Sequence, residues 1–292
     1  MSKPLPVPDF EIFAAKLGSN EFEFLRQLVR ANAGIALGPA KREMVQGRLL
    51  RRLRDLRLRS FEDYCAHVSE SGPEELVHLI NAITTNVTAF FRENHHFIHL
   101  ANRMLPEAME RNANSRRVRI WSAGCSSGEE PYSIAMTALE TLPPMQRWDL
   151  KILATDIDSE MVRFGATGLY PEDRLDGVAD DRRRRWFQRG SGQFHGMARA
   201  KPELMSLITF RPLNLLHEWP VQGPFDVIFC RNTMIYFDQQ TREHLLERFA
   251  RLLAMGGYLC IGHSESIPRS VGSLRLVGRT MYCKLPEGSH GS

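Results

Sequence analysis

The chain has no run approaching the roughly 18 apolar residues that a membrane span requires, and its opening MSKPLPVPDF has no apolar signal core. A cytoplasmic protein is expected. It has no CxxC pair, and Cys65, Cys125, Cys230, Cys260 and Cys283 are scattered and odd in number, which argues against a disulfide framework and a cysteine-bound zinc. Cys230, Cys260 and Cys283 lie in apolar runs and read as small buried hydrophobes. There is no complete GxGxxG. His95, His96 and His99 have no acid in helical phase with them, so they are expected on a helix surface and no metal is expected. What remains is a globular composition, 43% hydrophobic over 292 residues, enough for one large or two unequal domains.

Charge is unevenly distributed. Residues 41–59 hold Lys41, Arg42, Arg48, Arg51, Arg52, Arg54, Arg57 and Arg59 against Glu43 and Asp55, a local +6 that leaves the rest of the chain near −2. A surface selected for solubility alone mixes both signs, so this imbalance favours an acidic partner over a merely solvated face.

Pro4, Pro6 and Pro8 make the start an extended tail, and residues 286–292 read as a disordered one. Residues 1–83 otherwise read as a small all-helical domain. Helices are expected over 21–33, capped by Ser19 or Asn20 and ended by Gly34, and over 41–58 with a Val45, Leu49, Leu53 and Leu56 stripe that leaves Arg48, Arg51 and Arg54 facing solvent. Two more follow, one capped by Ser60 and one opening at Pro73. Residues 84–96, TTNVTAFFRENHH, place Asn86, Thr88 and Arg92 among apolar neighbours, which suggests a linker laid across a pocket mouth; of Phe90 and Phe91, one is expected in the core and one on a surface.

Residues 97–285 alternate as an α/β domain. The stretch VRIWSAGCSSGEEPYS, 118–133, reads as a strand, a glycine turn and a helix start. Glu129 and Glu130 crowd the positive end of that helix and would repel a pyrophosphate, so the expected ligand is a nucleoside without phosphates and with positive charge. S-adenosylmethionine fits both conditions. The next strand ends in Asp156, whose two acceptor oxygens suit a ribose, while Asp158 could instead cap the following helix. Arg182 to Arg185 read as solvated, and the runs 193–199 and 204–210 as a β-hairpin on the sheet rim, a subdomain of about 190–211 whose edge can accept an added peptide strand. The apolar run 225–230 is a buried parallel strand delivering Arg231, Asn232 and Tyr236 at its C-terminal end, where open α/β sheets bind ligands. Helix 240–253, a Gly256-Gly257 turn, strand 258–261 and a last strand near 280–284 complete the sheet.

Four motifs in this order, TNVTAFFRE, WSAGCSSGEEPYS, ATDID and IFCRNTMIYF, resemble those of the chemotaxis receptor methyltransferases, the CheR-type protein-glutamate O-methyltransferases, over roughly residues 15–285. The resemblance implies a Rossmann-like methyltransferase sheet with a small inserted antiparallel β-subdomain behind an all-α domain. It implies an S-adenosylmethionine pocket, with S-adenosylhomocysteine as product, contacted by Asn86, Thr88, Arg92 and Glu129 (Glu130 the fallback), with Asp156 on the ribose, Asn214 and Leu215 at the adenine, and Arg231 and Asn232 near the methionine end. It further implies that the basic helix, through Arg48, Arg51 and Arg54, docks on acidic methylation helices of a chemoreceptor. Members that tether to a receptor's C-terminal pentapeptide carry a similar rim hairpin; here RGSGQFHGMAR keeps the glycine-rich form with different residues.

A glutamate is already anionic at pH 7, so no general base is needed, and Arg92 and Tyr236 are expected to position the incoming carboxylate. A nucleic-acid methyltransferase is the competing reading, but RNTMIY lacks the prolines of an NPPY-like base grip, and no nucleic-acid partner or membrane insertion is expected. A non-catalytic S-adenosylmethionine sensor is the third.

Overall fold

The computed structural model describes residues 15–143, 147–268 and 271–285, so the proline-bearing start and the expected 286–292 tail lie outside the described residues. The chain divides into two compact units: one runs up to Thr85 and takes in Tyr236–Asp238, and the other comprises Asn86–Ile235 and the chain from Gln239 onward. Residues 86–96, read as a linker, therefore belong to the second unit. Among the described residues no helix is long and apolar enough to cross a membrane.

The first unit is built from α1 (Ser19–Ala33), α2 (Arg42–Leu56), α3 (Phe61–Glu70) and α4 (Pro73–Ile83). The N-cap of α1 is Gly18 without a side-chain cap, so neither Ser19 nor Asn20 plays that part; Gly34 ends the helix at φ 68°, a conformation glycine adopts without strain. Ser60 and Asp63 form a reciprocal capping box that starts α3. Val45, Leu49 and Leu53 of α2 are fully buried.

The basic face of α2 is narrower than its sequence suggests. Arg48, expected in solvent, flanks the apolar stripe and donates to the Ile83 and Thr84 carbonyls at 2.7 and 2.6 Å, occupying orphan acceptors at the end of α4. Arg52, one turn on, forms a bidentate pair with the buried carboxylate of Glu75, which also accepts from the Tyr64 hydroxyl at 3.0 Å. Lys41, Arg51, Arg54, Arg57 and Arg59 are the exposed cations of residues 41–59.

The second unit carries a seven-stranded sheet of order β6-β2-β1-β7-β8-β10-β9. Its strands are β1 (Arg117–Ala123), β2 (Asp149–Asp156), β6 (Ile208–Pro212), β7 (Phe225–Cys230), β8 (Leu253–Ile261), β9 (Leu274–Gly278) and β10 (Met281–Lys284). All pairings from β6 to β8 are parallel, and β10 and β9 are antiparallel. The order runs outward from β1 on one side and from β7 on the other, which puts the topological switch point between those two strands. Helices α5 (His95–His99) and α6 (Leu105–Arg111), separated by a π-helical turn, precede β1, and α7 (Glu129–Thr141), α8 (Ser159–Thr167), α9 (Asp180–Trp186), α10 (Pro202–Met205) and α11 (Gln239–Leu252) follow.

Several boundaries differ from the sequence reading. The rim insertion is a three-stranded antiparallel sheet of order β3-β5-β4, made by β3 (Leu169–Pro171), β4 (Phe187–Arg189) and β5 (Met197–Ala200). The run expected as its second hairpin strand instead forms α10 and then β6, whose residues pair in parallel with β2. Alternation alone does not say which sheet a strand joins. Gly256 and Gly257 lie inside β8, where the pairing slips between Phe225/Leu253 and Val227/Tyr258, and Gly256 takes φ 73°. Phe90 and Phe91 are both buried, Phe90 edge-on to Tyr170 and Phe187. Arg182 is half-buried: it pairs with Glu140 at 2.7 Å and lies 4.6 Å over the Phe91 ring.

Replacing Glu75 by alanine strands Arg52 and Tyr64 and is expected to cost about 3 kcal/mol, read as a lower midpoint in urea unfolding. An unchanged midpoint would show that the cluster contributes nothing.

Candidate functional site

The site is assembled from what lies beyond the C-terminal ends of β1, β2, β7 and β8. After Ala123 the chain turns at Gly124, φ 95°, where a Cβ would stand 2.1 Å from the Thr233 hydroxyl. The Gly124 and Cys125 amides both donate to the Thr155 carbonyl, and the Ser126 amide donates to Asp156 Oδ2 at 2.7 Å. Gly128, φ 97°, begins α7, and a Cβ there would come within 3.0 Å of the Gly165 Cα. These two glycines admit close approach of other parts of the chain, and that packing shapes the loop.

Asp156 ends β2 with backbone donors on both oxygens, Ser126 on Oδ2 and Asp158 on Oδ1 at 3.0 Å. Burial disfavours its charged form and, against the Asp158, Ser126 and Ile157 amides, pushes its pKa up to about 6. Asp158 does cap α8: its Oδ1 accepts from the Glu160 and Met161 amides, and Oδ2 accepts from Asn86 Nδ2 at 2.7 Å. Asn86 is thereby fixed in this corner, and its carbonyl accepts from the Ser126 hydroxyl.

The paired acids are both inside. Glu129 is fully buried and accepts from Arg174 Nη1 at 2.7 Å and from the Ser127 hydroxyl at 2.6 Å. Glu130 accepts from the Ser122 hydroxyl at 2.7 Å and from Arg231 Nη1 at 2.8 Å. Arg231 leaves the end of β7, so this ion pair, with side chains 3% and 10% exposed, spans the switch point. The other arm of Arg231 donates to the Arg92 carbonyl, and the guanidinium stands 3.5 Å from Glu93 Oε2. Arg92 itself is half-buried and donates to the Val87 carbonyl at 2.6 Å, closing the turn that carries the half-buried Thr88. Phe91 and Glu93 on either side of Arg92 take positive φ, 56° and 55°, and the Phe91 amide is held by the Ser133 hydroxyl. Burial works to raise the Glu93 pKa, yet the His263 hydrogen bond and the Arg231 charge bring it down to about 2.

Asn232, φ 55°, points Nδ2 toward Glu93 at 3.5 Å, and its amide donates to Glu265. Asn214 accepts from the Leu216 amide at 2.9 Å, and the buried Leu215 lines an open pocket of about 260 Å³ with α11. Tyr236 belongs to the helical unit, where its carbonyl accepts from the Ala36 amide at 3.1 Å.

Two residues of the site escaped the sequence reading. Glu265 is buried at the end of β8 and gathers the amides of Asn232 (3.0 Å), Gly262 (2.6 Å) and Ile235 (3.1 Å), clamping the loop after β7; burial raises its pKa against those donors. The rule that singled out Arg231, a polar group past the C-terminal end of a parallel strand, applies equally to it. Arg174, the partner of Glu129, had no local signal. The two histidines were misplaced: His96 is fully buried and His95 half-buried, and burial, with the nearby Arg231 charge, brings the His96 pKa down to about 3.

Exchanging Glu265 for glutamine sets an amide group against backbone donors. Hydrogen exchange is expected to show lost protection at Asn232 and Ile235, with about 1–3 kcal/mol of stability lost; unaltered exchange there contradicts the clamp.

Comparison with known proteins agrees with this geometry. Residues 86–283 match the family described as "CheR methyltransferase, SAM binding domain", and residues 20–84 match "CheR methyltransferase, all-alpha domain". The chain is 43% identical over 270 residues to the "Chemotaxis protein methyltransferase" of Escherichia coli, covering 91% of each chain. It is 44% identical over 268 residues to the "Chemotaxis protein methyltransferase 2" of Pseudomonas aeruginosa, covering 90% of this chain and 92% of that one. A "Probable chemotaxis protein methyltransferase" of Rhizobium etli is 44% identical over 241 residues, 82% of this chain and 90% of its own. With its sheet, its acid-lined glycine turn and both of its parts matched, the chain belongs to the CheR methyltransferase family and is an S-adenosylmethionine-dependent methyltransferase.

Proposed function

We infer that the chain methylates glutamate carboxylates on the cytoplasmic helices of a chemoreceptor, forming methyl esters. The observation that carries this reading is the acidic, phosphate-repelling turn with Asp156 on one side and the Glu130–Arg231 pair on the other, in a chain whose relatives named chemotaxis protein methyltransferases match it over most of their length.

The donor set fits S-adenosylmethionine. The Asp156 carboxylate accepts backbone N–H groups and keeps acceptor capacity for a ribose hydroxyl. Glu129 and Glu130, each paired with an arginine, occupy the start of α7 where a pyrophosphate would otherwise bind. Leu215, beside a loop braced by Asn214, offers an apolar wall for a base. When bound, S-adenosylmethionine supplies an electrophilic methyl on a positive sulfur.

The chain's own task is alignment and exclusion of water, which contributes on the order of 7–11 kcal/mol when reacting groups are held in line. Arg231 carries two duties: it neutralises Glu130, and it fixes the Arg92 carbonyl, so the Arg92 side chain is presented from a rigid turn. We assign Arg92 to steering the incoming carboxylate. Asn86, Thr88 and Asn232 complete the walls. No side chain acts as base, since the substrate is an anion above about pH 4.3. On the helical unit, exposed Arg51 and Arg54 supply the positive face for acidic receptor helices, while Arg48 is committed to the end of α4. The open edges of the β3-β5-β4 sheet suit an added strand such as a receptor C-terminal pentapeptide. The chain acts on protein and not on nucleic acid.

Incubation with methyl-labelled cofactor and a receptor cytoplasmic fragment is expected to yield base-labile methyl ester; label in added nucleic acid, or none in either, overturns the reading. In the same assay Arg92→Ala is expected to lose about a hundredfold in turnover while still binding the cofactor. Full turnover would remove Arg92 from its role.

Asp156 accepts ribose hydroxyls best when ionised, and its pKa is raised to about 6. Affinity for S-adenosylhomocysteine is therefore expected to hold above pH 7 and to fall as pH drops through about 6, with Asp156→Asn weak and flat across that window. Calorimetric titration at several pH values checks both; a wild-type affinity constant down to pH 5 contradicts the assignment.

A further inference from the structure

The segment that follows Arg92 places three metal-ligating side chains together, each with one buried polar atom that has no hydrogen-bond partner. Glu93 Oε2, His95 Nε2 and His96 Nδ1 are each buried without a hydrogen-bond partner, and the three side chains bring one ligand atom each within 4.8 Å of one another. Positive φ at Glu93 turns its side chain back over the first turn of α5, and the two imidazoles sit with centroids 4.1 Å apart.

The tautomer of His96 follows from its far side. The Thr280 hydroxyl lies 2.8 Å from the Arg279 carbonyl and 3.0 Å from His96 Nε2; when its hydrogen goes to that carbonyl, the imidazole donates through Nε2 and the Nδ1 lone pair faces Glu93 Oε2 at 3.7 Å. Thr280 thus stands where an outer-sphere partner orients a metal-bound imidazole. Two acceptors facing one another in a buried space call for a donor or a cation. The nearest guanidinium, that of Arg231, stands 3.5 Å from Glu93 Oε2 while its terminal nitrogens also serve Glu130 and the Arg92 carbonyl.

We propose that Glu93, His95 and His96 form a binding site for a late first-row divalent cation, zinc in the first instance. Two imidazoles and one carboxylate form a nitrogen-rich set that suits zinc, cobalt or nickel and not magnesium or calcium. With zinc–nitrogen bonds near 2.0–2.1 Å, tetrahedral ligand atoms stand roughly 3.3 Å apart, so the cluster closes by a modest rotation of the half-buried His95. A metal there draws Glu93 Oε2 from Arg231 and so couples the ion to the turn bearing Arg92.

The test uses the full chain stripped of metal by a chelator. Cobalt(II) titration is expected to give one equivalent of visible d–d absorption per chain, displaced by zinc. His95→Gln is expected to weaken zinc at least tenfold, Thr280→Val about tenfold, and His99→Gln, outside the cluster, not at all. Wild-type crystals soaked in zinc provide a check independent of any variant: anomalous density among the three side chains supports the site. No stoichiometric zinc binding, binding indifferent to His95→Gln, or density only elsewhere overturns it.

Discussion

The buried Glu130–Arg231 pair is the interaction on which the rest of the site depends. Its members come from the turn after β1 and the end of β7, the two strands at which the sheet order reverses, so one contact joins the halves of the parallel sheet where a ligand crevice opens. Removing charges of this kind from water is costly, and the pair persists because each partner is further bonded, Glu130 by Ser122 and Arg231 by the Arg92 carbonyl. The carbonyl contact carries the order outward. It fixes a turn whose neighbouring residues, Phe91 and Glu93, hold left-handed backbone conformations that a loosely packed segment would relax.

The same logic recurs around the crevice. Glu129 is held by Arg174, Asp158 by Asn86 and its own helix amides, and the loop after β7 by Glu265. Each is a carboxylate satisfied by groups from another part of the chain, so the loops are fixed to one another as well as to the sheet. Asp156 differs: its oxygens accept from backbone amides, and its pKa is raised to about 6. A carboxylate in that condition suits the binding of hydroxyl donors, and its position at the tip of β2 is the one that open α/β sheets use for a ribose.

Much of this was legible in the sequence. Apolar periodicity marked β1 and β7, the glycine turn was visible between strand and helix, and the two acids after it argued for a cationic nucleoside over a pyrophosphate. Asp156 and Arg231 followed from their places at strand ends. The failures have physical causes. Helical phase put Arg48 on a polar face, but an arginine is long enough to reach the end of a neighbouring helix from the flank of an apolar stripe. Residues 204–210 alternate like a hairpin strand, yet parallel pairing of β6 with β2 is decided by long-range contact. His95 and His96 were read without Glu93 because the left-handed turn that brings it back is invisible to spacing. Arg174 lies 45 residues from Glu129, beyond any local signal.

The account stands on a cofactor seated between the tip of β2 and the arm formed by Arg92 and Arg231. A crystal structure of the chain with S-adenosylhomocysteine tests this most directly. The ribose hydroxyls are predicted on Asp156 and the amino-acid end beside the Arg92–Arg231 turn; the molecule bound elsewhere, with Asp156 contacting no ribose, would contradict it.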